Sequence, residues 1–118
     1  MYKGFEKLES TPMEGVRGGQ GSMVFQHIFH DNDFLSSISH LILVTIPPGS
    51  SVGFHEHSVD EEVYFVLEGQ GKVRYDDLEY IVGPFDTVLT TSGHRHGIEN
   101  TGDRDLKLLA IIASVIEP

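Results

Sequence analysis

The stretch that decides the fold is GFHEHSVDEEVYFVLEG, residues 53–69. It places two histidines one residue apart, follows them with acids, and ends in a run of β-branched and aromatic residues. Alternate residues of a strand share one face, so the imidazoles of His55 and His57 would stand side by side, with Cα atoms roughly 6–7 Å apart. Two imidazoles so arranged can bind one metal ion. The stretch therefore predicts β-structure and a metal site together.

A third ligand can come from the acids that follow, but only one of them can share a face with the histidines. In a strand that begins here, Glu62, Tyr64 and Val66 line one side, and Glu61 lies on the other. The apolar and aromatic neighbours of Glu62 favour the interior for that side. Glu62 is therefore the predicted carboxylate ligand, although it could also be a surface acid beside Glu61.

A second segment, SGHRHGIEN at residues 92–100, repeats the H-x-H spacing after a glycine turn. Four of the seven histidines of the chain thus lie in two short segments of the same pattern. The recurrence of this pattern after equivalent turns indicates a common cause for the two segments. His94 shares a strand face with His96 but lies at the turn, which favours a solvated position over a metal ligand.

The rest of the chain indicates an all-β fold. Turn signals rich in Gly, Pro, Asn and Asp recur every eight to twelve residues, a spacing typical of a sandwich or barrel. A single domain over residues 1–118 is expected. The predicted strands are residues 23–29, 39–46, 63–67, 72–75, 79–82, 87–90, 95–99 and 106–116.

Composition excludes several partners and sites. The formal net charge of −10 disfavours nucleic acid and anionic membrane surfaces as partners. There is no cysteine, so disulfides and thiolate metal sites are excluded. The start, MYKGFEKLES, lacks the apolar core of a signal peptide, and we expect a cytoplasmic protein.

The two histidine segments resemble the two motifs of the cupin superfamily, in particular its small single-domain type. Gly49, His55, His57, Glu62 and Gly69 match the first motif, G-x5-H-x-H-x(3,4)-E-x6-G. The second motif, G-x5-P-x-G-x2-H-x3-N, is matched at its last three defined positions, Gly93, His96 and Asn100. It departs where Phe85 stands for the first glycine and Thr91 for the proline. Neither departure touches a predicted ligand, and the matched motifs span residues 49–100.

The resemblance implies a double-stranded β-helix, the cupin jelly-roll barrel, with one divalent metal held by His55, His57, Glu62 and His96. Mn or Fe is favoured, because an octahedral ion would keep positions open for a ligand. Zn, Ni, Co and Cu remain alternatives. Small single-domain cupins are commonly dimeric, so the resemblance implies a homodimer. The apolar runs 23–29 and 106–116 are the segments expected to cover an edge or a face of a second subunit.

Three further side chains are candidates for lining a pocket: His40, Tyr64 and His94. His40 shares a face with Ile42 and two further apolar residues, so a hydrogen-bonded core histidine is the first interpretation and a pocket role the second. Tyr64 is more typical of a core position. The glycine-rich stretch at residues 18–21 lacks the helix and the Lys-Ser/Thr of a phosphate loop, and is interpreted as a flexible lead into a strand.

Function is left open between three classes. The first is a small metalloenzyme, of dioxygenase or of decarboxylase/isomerase type, that acts on a small organic acid or a sugar-like molecule. The second is a non-catalytic module that binds a small ligand. The third is a cupin in which the metal only stabilises the structure. The family resemblance favours the enzyme, with a dioxygenase first, but no catalytic group can be identified from the sequence.

Overall fold

The computed structural model describes residues 1–115, and its strands follow the turn signals of the sequence. Ten strands lie within that range. In chain order they are β1 (Thr11–Glu14), β2 (Ser22–Phe29), β3 (Ile38–Ile46), β4 (Ser51–Glu56), β5 (Asp60–Glu68), β6 (Gly71–Tyr75), β7 (Leu78–Val82), β8 (Thr87–Thr90), β9 (Arg95–Asn100) and β10 (Leu106–Ser114). Short 3₁₀ turns occur at Phe5–Lys7, Val16–Gly18 and Asp31–Asp33. Over residues 1–115, no helix is long and apolar enough to cross a membrane.

The described strands form two antiparallel sheets in a jelly-roll arrangement. One sheet has the order β1-β2-β3-β10-β5-β8, and the other has the order β4-β9-β6-β7. Neighbours in a sheet are mostly distant in sequence, as when β10 pairs with both β3 and β5. The predicted all-β jelly roll is confirmed.

The core lies between the sheets and follows the period-2 alternation of the strands. In β5, Glu62, Tyr64 and Val66 are buried while the intervening residues are partly exposed, as the sequence pattern predicts. Ile42, Val44, Ile46, Leu106, Leu108 and Ala110 form the same pattern on β3 and β10. A polar side chain on the buried face, such as Glu62, is therefore carried into the interior.

The structure differs from the predicted strands in three places. β1 is additional, because it is a short edge strand with a proline, and β4 has the bounds Ser51–Glu56 where the H-x-H spacing predicted β-structure without bounds. β5 begins at Asp60, three residues before the predicted start. β10 ends at Ser114, whereas the predicted strand extends to residue 116, which lies outside the described residues.

The apolar runs expected to cover an edge lie inside the larger sheet. β10 is hydrogen-bonded on both sides, to β3 and β5, and β2 lies between β1 and β3. Over the described residues neither run is therefore an edge strand, and their contact with a face of a second subunit stays a prediction. Their hydrophobicity is explained by their central position, since a strand with neighbours on both sides packs against the core along its length.

Both departures from the second motif lie in turns, and each turn forms although Phe85 replaces the usual glycine and Thr91 the usual proline. Phe85 adopts φ 71°, the left-handed conformation that favours glycine, in a turn closed by the bond from the Asp86 N–H to the Gly83 carbonyl. Thr91 begins a turn in which the His94 N–H donates to its carbonyl, with Gly93 at φ 93°. The geometry next to the predicted ligands is therefore intact.

Asn100 ties β9 to two other parts of the barrel, and its replacement tests that connection. Its buried side-chain amide donates to the carbonyls of Ile46 and Arg104, at 2.8 Å each, and its Oδ1 accepts from the Gly102 N–H at 2.9 Å. We expect Asn100→Ala to lower the free energy of unfolding by about 2–3 kcal/mol, because buried carbonyls lose their donors. Urea denaturation measures this change. The neighbouring exposed substitution Thr101→Ala is the control, and equal losses in the two variants would contradict the assigned role.

Candidate metal centre

Backbone hydrogen bonds hold the two H-x-H segments against each other. β4 pairs with β9 so that His55 lies directly opposite His96. Just beyond the end of β4, the His57 N–H donates to the His94 carbonyl at 3.1 Å, and the Gly93 N–H donates to the His57 carbonyl at 2.6 Å. The antiparallel register therefore brings together histidines that are 39 residues apart in the chain.

The side chains of His55, His57, Glu62 and His96 converge on one point. Each offers one ligand atom, and these four atoms lie within 4.8 Å of one another. Nε2 of His57 is 3.1 Å from Glu62 Oε1 and 3.0 Å from Nε2 of His96, which is itself 3.0 Å from the same carboxylate oxygen. The four predicted ligands are thus brought together by strands from both sheets.

The second nitrogen of each imidazole has its own partner. Nδ1 of His55 donates to the Gly53 carbonyl at 2.7 Å, and Nδ1 of His57 is 2.6 Å from the Asp60 carboxylate. Nδ1 of His96 is 2.8 Å from the hydroxyl of Thr90. Partners of this kind fix the ring orientation and leave Nε2 as the free ligand atom, as in metal-binding histidines.

The charges in this cluster are mutually dependent. Burial alone would raise the pKa of the Glu62 carboxyl, but hydrogen bonds from His57 and His96 and their positive charge lower it to about 2. The hydrogen bond to Glu62 raises the pKa of His57 against the effect of burial, and Asp60 raises it further. Burial lowers the pKa of His55. The carboxylate is therefore ionised at neutral pH and available as a ligand.

The donor set fits a divalent metal ion. Three imidazole nitrogens and one carboxylate oxygen are ligands suited to Mn, Fe, Zn, Ni, Co or Cu. Ligand atoms bound at about 2.1 Å and at right angles lie about 3.0 Å apart, which matches the shortest separations in the cluster. Two Nε2 atoms 3.0 Å apart, both directed inward by their Nδ1 partners, would repel each other without a shared proton or cation.

The cluster lies at one side of a cavity of about 220 Å³. His55, His57, Glu62 and Tyr64 line it together with Asp60 and a wall of apolar side chains from both sheets. Because this space adjoins the ligand atoms, a small molecule in the cavity would contact an ion held there. The arrangement can bind a metal and a ligand at the same time.

Tyr64 supports the cluster from the side. Its ring is 4% exposed and stacks on the His96 imidazole, with centroids 4.6 Å apart and planes 10° apart. Burial and the Glu62 carboxylate raise its pKa well above the usual range, so the phenol keeps its proton. Tyr64 therefore fixes the orientation of His96 and presents a protonated hydroxyl to the cavity.

The other two pocket candidates lie in different surroundings. His40 lines the cavity but is exposed, with Nδ1 2.9 Å from the Ser39 hydroxyl, so the core-histidine interpretation is wrong. β3 extends past the rim of the barrel there. His94 is 45% exposed, pairs with Asp76 at 2.7 Å and stacks on Tyr75, away from the four ligand atoms.

Three residues at this site were missed by the sequence analysis. Asp60 and Thr90 fix ligand orientations, and Arg17 lines the cavity. The position of Asp60, three residues after His57, could have indicated a partner for that histidine. The sequence around Thr90 does not distinguish it from other threonines in strands. Arg17 has no pattern around it, but it adopts φ 53° and ψ 33°, a left-handed conformation that costs an arginine about 1–3 kcal/mol.

The glycine-rich stretch beside Arg17 packs tightly on β4 and is not a free lead into β2. A Cβ at Gly53 would lie 2.1 Å from the Arg17 carbonyl oxygen, and one at Gly19 would lie 2.0 Å from the Ser51 carbonyl oxygen. The Ser51 N–H donates to the Gln20 carbonyl at 3.0 Å. Glycine at both contacts allows the backbones to approach, and this approach sets Arg17 at the cavity.

Comparisons with known proteins agree with this architecture. The cupin domain family model matches residues 42–112. An oxalate-binding protein from Thermotoga maritima is 35% identical over 106 residues, 88% of this chain and 88% of that protein. The crystal structure of a predicted oxalate decarboxylase from Thermotoga maritima has a TM-score of 0.94 at 30% identity, covering 98% of this chain and 100% of that one.

A more distant similarity involves an enzyme of aromatic acids. A 5-nitrosalicylic acid 1,2-dioxygenase from a Bradyrhizobium species is 32% identical over 66 residues, 56% of this chain and 31% of that protein. The family match contains all four convergent side chains, and the jelly roll supplies the strands that carry them. This chain therefore belongs to the cupin family.

Proposed function

We propose that this protein is a mononuclear metal-binding cupin that acts on a small organic acid, with the ion held by His55, His57, Glu62 and His96. The observation that carries the proposal is the convergence of three Nε2 atoms and one carboxylate oxygen at the wall of a cavity. A metal placed there has protein ligands on one side and space for a small molecule on the other.

Mn or Fe is the favoured ion. Four protein ligands leave two positions of an octahedral ion for water or substrate, and the shortest ligand-atom separations of 3.0–3.1 Å suit right-angled ligands. A bound divalent ion would supply Lewis-acid chemistry, polarising a carboxylate or carbonyl oxygen, or would bind dioxygen. Zn, Ni, Co or Cu are the alternatives that elemental analysis distinguishes.

The reaction is of dioxygenase type, or of decarboxylase or isomerase type. The relatives named for oxalate and for a nitrosalicylic acid support a small carboxylate as the substrate class. A decarboxylase or isomerase needs a proton donor close to the substrate, and the raised pKa of Tyr64 makes its hydroxyl a hydrogen-bond donor to a ligand rather than that acid. A dioxygenase would instead use the apolar wall to exclude water.

A non-catalytic cupin is the second candidate. The same site could bind a small acid without changing it, as the name of the oxalate-binding relative indicates for that protein. A metal that only stabilises the structure is disfavoured, because structural sites are closed and this cluster adjoins a cavity. Turnover of the bound acid distinguishes the enzyme from the non-catalytic binding protein.

Metal content is the first test. Protein purified without a histidine tag should contain about one equivalent of metal, and His55→Ala and His96→Ala should each lose it. His94→Ala, which removes a histidine outside the cluster, is the matched control and should retain it. Metal-loaded protein is then assayed with small organic acids for oxygen consumption and for release of carbon dioxide. Absence of metal after supplementation with each candidate ion would refute the site, and stable acid binding without turnover would favour the second candidate.

Metal uptake should depend on pH through His57. Because its pKa is raised in the metal-free protein, His57 holds a proton that the metal must displace, so affinity falls as pH falls through that raised pKa. Asp60→Asn should reduce the number of protons released and weaken metal affinity by about 10–100-fold. Calorimetry in buffers of different ionisation enthalpy measures both quantities. Glu61→Gln removes the same charge from the other face of β5, and an equal effect there would contradict the role of Asp60.

We also propose a homodimer that forms through β7 and β8. These are edge strands, one in each sheet, and the strands and the turn between them carry exposed apolar side chains. These side chains, called here the β7–β8 surface, are Leu78, Tyr80, Ile81, Phe85 and Leu89. The opposite edges are blocked, β1 by its proline and β4 by the 3₁₀ turn at Val16–Gly18. We expect a second copy of the chain to cover this surface. β7 of one copy can pair antiparallel with β7 of the other, and this two-fold arrangement gives each β7 edge a hydrogen-bonding partner.

The dimer is tested by placing a charge on this surface. Ile81→Lys should shift the mass measured by sedimentation from dimer to monomer, because a desolvated ammonium is costly in an apolar contact. Leu35→Lys changes a fully exposed leucine that lies outside the β7–β8 surface and should remain dimeric. A monomeric wild type at high protein concentration, or a dimer that survives Ile81→Lys, would refute the proposal.

A further inference from the structure

We infer that the ligand of this site is a small monocarboxylate with an apolar body, whose carboxylate is received by Arg17 and whose body lies against the apolar wall of the cavity. The inference rests on the proposed function, because it assigns the ligand of the same site. Within that function, the cavity should prefer branched or aromatic 2-oxo and 2-hydroxy acids to oxalate and to sugars.

Arg17 supplies a cation where an anionic ligand would enter. It lines the same cavity as His55, and its charge is close enough to contribute to lowering the pKa of that histidine. Across residues 1–115 its guanidinium takes part in no salt bridge. A guanidinium recognises a carboxylate through two parallel N–H donors, so an arginine without an acidic partner beside a cavity is suited to this role.

The backbone around Arg17 is shaped to hold it there. The residue adopts a left-handed conformation that an arginine rarely takes. The turn is fixed by hydrogen bonds from the Gly18 N–H to the Gly15 carbonyl and from the Gly19 N–H to the Val16 carbonyl. Contact with Gly53 then places the turn two residues before the ligand His55. Unfavourable conformations persist where the surroundings impose them, and they cluster at ligand sites.

Most of the remaining lining of the cavity is hydrophobic. Phe25, Ile42, Val44, Val52, Ile98 and Leu108 form this wall. A sugar would bury hydroxyl groups there without hydrogen-bond partners, which is unfavourable. Oxalate would leave the wall in contact with water. A carboxylate with an aliphatic or aromatic body removes that apolar surface from water while keeping its charged end at Arg17 and the metal cluster.

The size of the cavity limits this body. Its volume of about 220 Å³ is below the roughly 300–1,000 Å³ typical of sites for drug-sized ligands. A short branched chain or a single ring is therefore the expected size. An oxygen on the carbon next to the carboxylate would allow the acid to chelate a metal, which makes 2-oxo and 2-hydroxy acids the preferred class.

The test is calorimetric titration of metal-loaded protein with oxalate, pyruvate, 4-methyl-2-oxopentanoate and phenylpyruvate. Affinity should rise about fourfold for each added methylene, so 4-methyl-2-oxopentanoate should bind tens of times more tightly than pyruvate. Val44→Thr, which places a hydroxyl on the wall at nearly constant volume, should reduce that ratio. Oxalate binding as tightly as the branched acid would overturn the inference.

Arg17 is tested in the same titrations. Arg17→Gln should weaken binding of every carboxylate by at least about tenfold, since it removes a charge-assisted bidentate contact. Arg17→Lys should recover part of the loss, and Arg104→Gln, an exposed arginine outside the cavity lining, should have no effect. Equal affinities of wild type and Arg17→Gln would refute the role.

Metal content, measured on each sample, separates this inference from the proposed function. If the protein holds no metal, the metal site fails, and the titrations are repeated on that metal-free protein. In that protein the affinity should be weaker overall, but it should still depend on the carbon-chain length of the acid and on Arg17, because both effects arise from protein side chains. Their absence from metal-loaded protein would overturn the ligand class while the metal site stands.

Discussion

The site depends on one constraint, the antiparallel register between β4 and β9. This register sets His55 opposite His96, and the backbone bonds that join His57 to Gly93 and His94 continue it beyond the strand. Side chains alternate between faces, so a shift of one residue would turn one histidine out of the barrel. The bond from the Gly93 N–H, at a φ of 93° that suits glycine, resists such a shift. The convergence of the four candidate ligands thus depends on backbone pairing as well as on side-chain contacts.

The same interior contains a polar cluster that a stable core does not require. Glu62, His57 and His96 are each less than 10% exposed, and their burial is unfavourable unless every polar atom has a partner. Across the described residues, no buried side-chain nitrogen or oxygen lacks a hydrogen-bond partner. The Nδ1 partners and the lowered pKa of Glu62 show how this is achieved. The inward-facing Nε2 atoms of His57 and His96 have Glu62 and each other as partners, and these are the atoms that a metal ion would bind.

Much of this could be predicted from the sequence because the signals are periodic. Alternation in β5 placed Glu62 on the buried face, and the H-x-H spacing placed two rings together. Non-periodic features could not be predicted in this way. His40 shares the alternation of its strand, yet it is exposed, because the strand runs past the end of the barrel. β1 was missed because an edge strand of four residues has too little pattern. Arg17 depends on the approach of two backbones at Gly19 and Gly53, which no local pattern records.

The site residues that the sequence pattern predicts and those that it does not predict also lie in different parts of the chain. The family match over residues 42–112 contains the four convergent side chains and most of the apolar wall, whereas Arg17, Phe25 and His40 lie before it. The four candidate ligands therefore lie within the family match, while the part of the chain before residue 42 adds Arg17, Phe25 and His40 to the lining of the cavity. A change in that segment would alter which acid is received without disturbing the β4–β9 register. For this reason a shared fold does not fix the substrate, and the acid preference has to be argued from the residues that line the cavity.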